Sequence, residues 1–180
     1  MKFVPLSLNG AYEVLIEPHQ DARGFFSRFY CNREFKACGL NTEWVQMNLS
    51  MSNAVGTLRG MHFQRGEGAE VKLVRCIRGR AFDVILDLRG GSSTFGQHAV
   101  IKLDAQTHNS IYIPKGIAHG FQALEDTVEL QYLHSNYYDQ LHEGGINALD
   151  KDLEILWPLP AVKRSKRDMN LLPLSKVSPL

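Results

Sequence analysis

The segment Gly56-Thr57-Leu58-Arg59-Gly60-Met61-His62-Phe63-Gln64 puts an arginine, a histidine and a glutamine on a stretch that alternates like a β-strand. A histidine so placed has three uses: a proton-transfer base, a metal ligand, or a core residue with its ring nitrogens satisfied. In Pro114-Lys115-Gly116-Ile117-Ala118-His119 a proline and a glycine bracket a turn, and a second histidine opens the next strand. Lys72 lies in an apolar run, where an unpaired inward ammonium would be costly. It must therefore face water or meet an anion; the second reading is preferred, and Arg59 obeys the same logic. Tyr132, taken alone, is a strand aromatic with its hydroxyl bonded in a core. Asp168 follows the basic run Lys163-Arg164-Ser165-Lys166-Arg167, which reads as a solvated loop, because no aromatic residues interleave it as in a nucleic-acid patch. His19, His98, His108, His134 and His142 read as surface or packing histidines.

These residues need a scaffold, and the chain's 180 residues suffice for one well-buried domain spanning 1–180. Twenty basic against nineteen acidic residues leave a net charge of +1, so no global field favours nucleic acid or a membrane surface. An anionic ligand must be caught locally. Cys31, Cys38 and Cys76 are odd in number and form no CxxC pair, which suits a reducing, cytoplasmic setting. The N-terminal apolar run is too short for a signal peptide, and none is long enough to span a bilayer. Strands are expected at Tyr12–Ile16, Trp44–Ser50, Leu58–Phe63, Val71–Ile77, Ala81–Leu88, His98–Leu103, Ser110–Ile113, Ala118–Leu124 and Val128–His134. Arg78-Gly79-Arg80, Arg89–Ser93 and Pro114–Gly116 break them as turns. One helix is expected at Arg33–Cys38, with Asn32 as N-cap and Gly39 as its stop, and a second short one in the last thirty residues. Many short strands with few short helices imply a mainly β sandwich or barrel of the jelly-roll kind, and the mouth of such a barrel is a natural site for a small ligand.

The PxGxxH pattern ending at His119 resembles the second motif of the cupin superfamily, whose fold is a double-stranded β-helix jelly-roll barrel. Where the first cupin motif has HxH and then a glutamate, this chain reads His62-Phe63-Gln64 with Glu70 beyond. One histidine is missing, so His62, His119 and Glu70 would make a poor metal set, and no metal is expected. The resemblance is closer still in GTLRGMHFQ, VKLVRCIRGRAFDVILDLR, SSTFGQ, YIPKGIAHGFQALEDTVELQY and LEILWPL, which are similar to the dTDP-4-dehydrorhamnose 3,5-epimerases. It runs from about Asp21 to Asp168.

That resemblance implies a cofactor-free isomerase that inverts C3, C5 or both in a nucleotide-diphospho-4-keto-6-deoxyhexose, in deoxysugar biosynthesis. A C–H beside a ketone can be deprotonated because charge moves onto oxygen, so such a site needs a base, an enolate stabiliser and an acid on the opposite face. By resemblance His62 is the base, Asp168 the carboxylate that orients it, Lys72 the enolate's cation and Tyr132 the acid. Arg59 and His119 match phosphate contacts, Gln46 and Asn48 polar contacts to sugar and diphosphate, and Phe26 and Tyr138 packing on the nucleotide base. Arg23, in Asp21-Ala22-Arg23-Gly24-Phe25-Phe26, belongs to a segment that in the family crosses to a second copy, implying a homodimer. Three positions depart from the pattern: Met47 for a frequent aspartate, Arg167 for the lysine before the partner aspartate, and Arg28 for a common glutamate near the base. Arg28 reverses a charge there, which points to a base other than thymine, with cytosine first. The alternatives are an epimerase of one carbon only on a CDP-linked or other keto sugar, or a non-catalytic sugar-nucleotide-binding cupin.

Overall fold

The structure, a computed structural model, describes residues 1–180. Its strands are β1 (Lys2–Pro5), β2 (Tyr12–Leu15), β3 (His19–Asp21), β4 (Gly24–Phe26), β5 (Gln46–Ser52), β6 (Leu58–Gln64), β7 (Lys72–Arg78), β8 (Arg80–Asp87), β9 (His98–Asp104), β10 (Ser110–Ile113), β11 (Ile117–Ala123), β12 (Val128–His134) and β13 (Glu143–Gly145). Two short helices, α1 (Asn32–Ala37) and α2 (Lys166–Met169), flank them. The strands form a six-stranded sheet, β1-β2-β10-β7-β12-β5, and a five-stranded sheet, β13-β6-β11-β8-β9, with β3 and β4 as a separate hairpin. All named pairings are antiparallel, and the two sheets face each other in the jelly-roll arrangement of the cupins.

The nine expected strands are all present, and the structure adds β1, β3, β4 and β13. Three of these additions are only three residues long, too short for alternation to register. The expected strand at Trp44–Ser50 lies two residues later, because Trp44 packs beside the outer cluster around Phe35 instead of pairing. In α1, Asn32 is the first helical residue and not the cap: Cys31 holds that position and gives no side-chain bond, while Asn32 Nδ2 donates to Thr42 O at 3.4 Å. Gly39 does end the helix, with φ +69° and its N–H on Lys36 O.

Strand parity sorts the side chains. On β8, Ala81 and Ile85 enter the core between the sheets, while Val84 and Leu86 belong to a second cluster covered by Ile146, Leu153 and the C-terminal segment. On β7, Val74 and Cys76 point inward and Leu73 packs outward with Phe35 of α1. Burial on both faces explains why these strands read as nearly continuous apolar runs. At one end of the inner layer the same parity places polar groups: Asp83 follows Ala81, Lys72 precedes Val74, and Tyr132 and His134 follow Leu130.

Candidate active site

β6 and β11 approach closely because each has a glycine at the contact. A Cβ on Gly60, at φ +114°, would lie 2.6 Å from Gly120 Cα, and one on Gly120 would lie 2.8 Å from Arg59 O. The register pairs His62 with His119 across this contact. Asp168 reaches it from α2, where Ser165 as N-cap accepts the Asp168 N–H at 2.9 Å. Its Oδ1 lies 2.8 Å from His62 Nε2, and its Oδ2 accepts the Gly60 N–H at 3.1 Å. Burial pushes the Asp168 carboxyl up, but the His62 bond and charge and the Gly60 N–H outweigh it, and the group lies below its ordinary value. The carboxylate thus accepts from Nε2, leaving His62 Nδ1 as the nitrogen able to take a proton.

His119 is buried and its Nε2 lies 2.8 Å from Asp83 Oδ2, while Asp83 Oδ1 has no partner. Burial drives the Asp83 carboxyl up, against the pull of His119 and Lys72. From the facing sheet, Lys72 is 8% exposed and its Nζ sits 3.3 Å from Glu70 Oε1, so the inward lysine has its anion. Tyr132 Oη lies 3.1 Å from Ser50 Oγ, and burial raises its phenol, keeping the proton on it. Arg59 donates to Ser52 Oγ at 3.1 Å and Met51 O at 2.7 Å, bridging the two sheets at the rim.

His62, Lys72, Asp168, Tyr132, Arg59, His119, Asn48 and Arg167 all line one cavity of about 860 Å³. Its wall also holds Lys163, Arg164 and His134, which extends one sequence reading and corrects another. The basic run is largely exposed, as expected, but it is ordered against the site: Leu58 N bonds Lys163 O, Arg164 holds Asn147 Oδ1 and Asp168 O, and Arg167 pairs with Glu143. His134 is not a packing histidine, since it meets Glu70 and Asn48 at the cavity. Five cations against one carboxylate in that wall make the site a local trap for an anion. Gln46 stands just behind, bonded to Asn48 Oδ1 at 3.1 Å and to the Tyr138 N–H.

The remaining candidates lie outside this cavity. Arg23 pairs with Asp21 on the β3–β4 hairpin, Phe26 is 78% exposed beside it, and Tyr138 Oη bonds Glu143. Arg28 donates to Glu34 Oε1 at 2.9 Å, a carboxylate it shares with the N-terminal amine. The conceivable metal donors are otherwise engaged. His62 and His119 each hold an aspartate, Glu70 holds His134 and Lys72, and the Gln64 amide ties down Gly68 O, Tyr137 O and the Asp139 N–H. Asp83 and Ser50 were missed in the sequence, and Glu70 was weighed there only as a metal donor; only an inward polar residue amid the apolar Ala81–Leu88 hinted at Asp83.

A histidine held by a carboxylate, a protonated phenol, a buried lysine and a cationic rim suit proton transfer on a phosphorylated carbonyl compound, and sequence comparison agrees. The family model described as dTDP-4-dehydrorhamnose 3,5-epimerase matches residues 5–176. A dTDP-4-dehydrorhamnose 3,5-epimerase of Methanothermobacter thermautotrophicus is 40% identical over 176 residues, covering 96% of this chain and 94% of that one. A dTDP-4-dehydrorhamnose 3-epimerase of Streptomyces niveus is 38% identical over 177 residues, covering 98% and 85%. The crystal structure of a Legionella pneumophila dTDP-6-deoxy-D-glucose-3,5-epimerase in complex with dTDP-4-keto-L-rhamnose superposes with a TM-score of 0.92 at 32% identity, covering 98% and 94% of the two chains. With likeness of this extent in both sequence and fold, the chain belongs to the dTDP-4-dehydrorhamnose 3,5-epimerase family.

Proposed function

We propose that this chain epimerises a dTDP-linked 4-keto-6-deoxyhexose at C3 and C5, without a cofactor. One observation carries the reading: His62 comes from one sheet and Tyr132 from the other, and both line the same cavity. His62 Nδ1 takes the proton from the carbon beside the ketone, while Asp168 stabilises the imidazolium. Lys72 stabilises the charge that develops on the enolate oxygen, and Tyr132 returns a proton from the opposite face. Arg59, with the cations at residues 163–167, receives the diphosphate. The second copy supplies Arg23 and Phe26 against the nucleotide base. Support for a homodimer comes from β5, an edge strand whose outward Met47, Leu49 and Met51 are all exposed, and from the projecting β3–β4 hairpin. The three cysteines are unpaired, which fits action in a reducing cytoplasm, and no helix is long and apolar enough to cross a membrane.

The test is incubation of the protein with dTDP-4-keto-6-deoxyglucose in deuterated water, following C3 and C5 by NMR. Deuterium at both carbons and inversion at both is the expected result. Exchange at one carbon alone would make it an epimerase of that carbon, and no exchange would leave a binding protein. Displacement by CDP at least as well as by dTDP would return the base preference to the Arg28 reading.

A further inference from the structure

A hydrogen-bonded chain runs from the Tyr138 backbone to Lys72, and its direction can be read from one end. The Tyr138 N–H can only donate, and it does so to Gln46 Oε1 at 3.1 Å. That fixes the Gln46 amide, whose Nε2 donates to Asn48 Oδ1 at 3.1 Å. Asn48 is fixed in turn, and its Nδ2 lies 3.3 Å from His134 Nε2, which must therefore be the accepting nitrogen. The ring proton is then on Nδ1, which lies 2.7 Å from Glu70 Oε2. The other Glu70 oxygen faces Lys72 Nζ at 3.3 Å. Each link is a donor meeting an acceptor, and no group is asked to do both at one atom.

We infer that Glu70 and His134 are positioning residues for Lys72: the relay presents a carboxylate that pairs with the ammonium and keeps it aimed into the cavity. The assignment rests on the proposed reaction, in which Lys72 meets the enolate. The same relay also bears on the acid, because the His134 ring stacks on Tyr132 at 5.9 Å between centroids and 18° between planes. Both residues lie on β12 with the same inward parity, so fixing the His134 ring limits the tilt of the phenol. The surroundings leave Glu70 as the bonded counter-ion. Asp83 of β8 also acts on Lys72 through its charge, but its bond goes to His119 of β11. A carboxylate is required at 70, because a glutamine there would offer one acceptor to two donors.

The tautomer is measured directly by nitrogen NMR of labelled protein without substrate, with His134→Gln identifying the resonance. The expected result is His134 protonated at Nδ1 and bare at Nε2. The reverse tautomer, or a mixture of the two, would overturn the relay. In Glu70→Gln the His134 signal should move toward the other tautomer, and kcat should fall about fivefold with KM changed less than about twofold, because the lysine acts mainly in the transition state. An unchanged kcat, or a loss confined to KM, would overturn the positioning role. Should the unmodified protein turn over no keto sugar, the proposed reaction fails, while the tautomer still decides the relay.

Discussion

His62 and His119 sit side by side with an aspartate each, yet their environments set different roles. Asp168 takes two donors and is held below its ordinary value, so it is an ionised partner for His62, the proposed base. His62→Ala should abolish exchange of the substrate C–H with deuterated water, whereas Tyr132→Phe should keep exchange and lose inverted product. Equal exchange in His62→Ala and the unmodified enzyme would remove His62 as the base. Asp168→Asn should behave as a weaker His62→Ala. Asp83 is the opposite case, buried with one oxygen unpartnered and its carboxyl driven up. A raised carboxylate loses folding stability as pH climbs from its unfolded value through its folded one, and the loss persists above. Asp83→Asn keeps an acceptor for His119 Nε2 and removes that cost, so at neutral pH its stability should hold or rise by about 1 kcal/mol. Turnover should fall, and urea unfolding beside kcat checks the pair. A loss of several kcal/mol would mean the charge itself is stabilising.

At the scale of elements, the residues proposed for proton transfer, which meet in one cavity, could be picked out because they lie in long motifs on strands β6, β7 and β12 and at the end of the basic run. Its partners were not. Glu70 meets His134 across 64 residues, and Asp83 meets His119 across 36, so each contact depends on sheet register that alternation alone does not fix. α2 was foreseen only as some short helix, although Ser165 three residues before Asp168 is an N-cap signal that places the aspartate. The contact of β6 with β11 depends on Gly60, which holds a positive φ with no room for a side chain. Gly60→Ala forces a methyl against Gly120 and the His119 carbonyl, so the strands must part. The expected loss is roughly 2–4 kcal/mol in denaturant unfolding, with activity lost in the fraction still folded because the Gly60 N–H leaves Asp168. A variant as stable and active as its parent would show that the strands can separate without cost.

The whole molecule carries almost no net charge, so its anion trap is a matter of placement, and binding of dTDP should weaken with added salt although the protein as a whole is nearly neutral. In the proposed homodimer, assembly decides whether the site is complete. Arg23 and Phe26 are exposed on a two-stranded hairpin outside the cavity of their own chain, and Leu49, 63% exposed on the edge strand, is an apolar anchor in search of a cover. If a second copy supplies that cover, Leu49→Lys should shift sedimentation from dimer toward monomer. If the hairpin also crosses to the partner's cavity, two crippled variants should rescue each other. Phe26→Ala damages the site of the partner, and His62→Ala damages its own. A mixed dimer then has one site with both lesions and one with neither. Co-expression of the two in equal amounts makes about half the dimers mixed, each with one intact site of two, so activity should recover to about a quarter of the unmodified level. Recovery of that size requires the crossing. Activity that stays at the average of the two variants alone would mean that Phe26 serves its own chain or none.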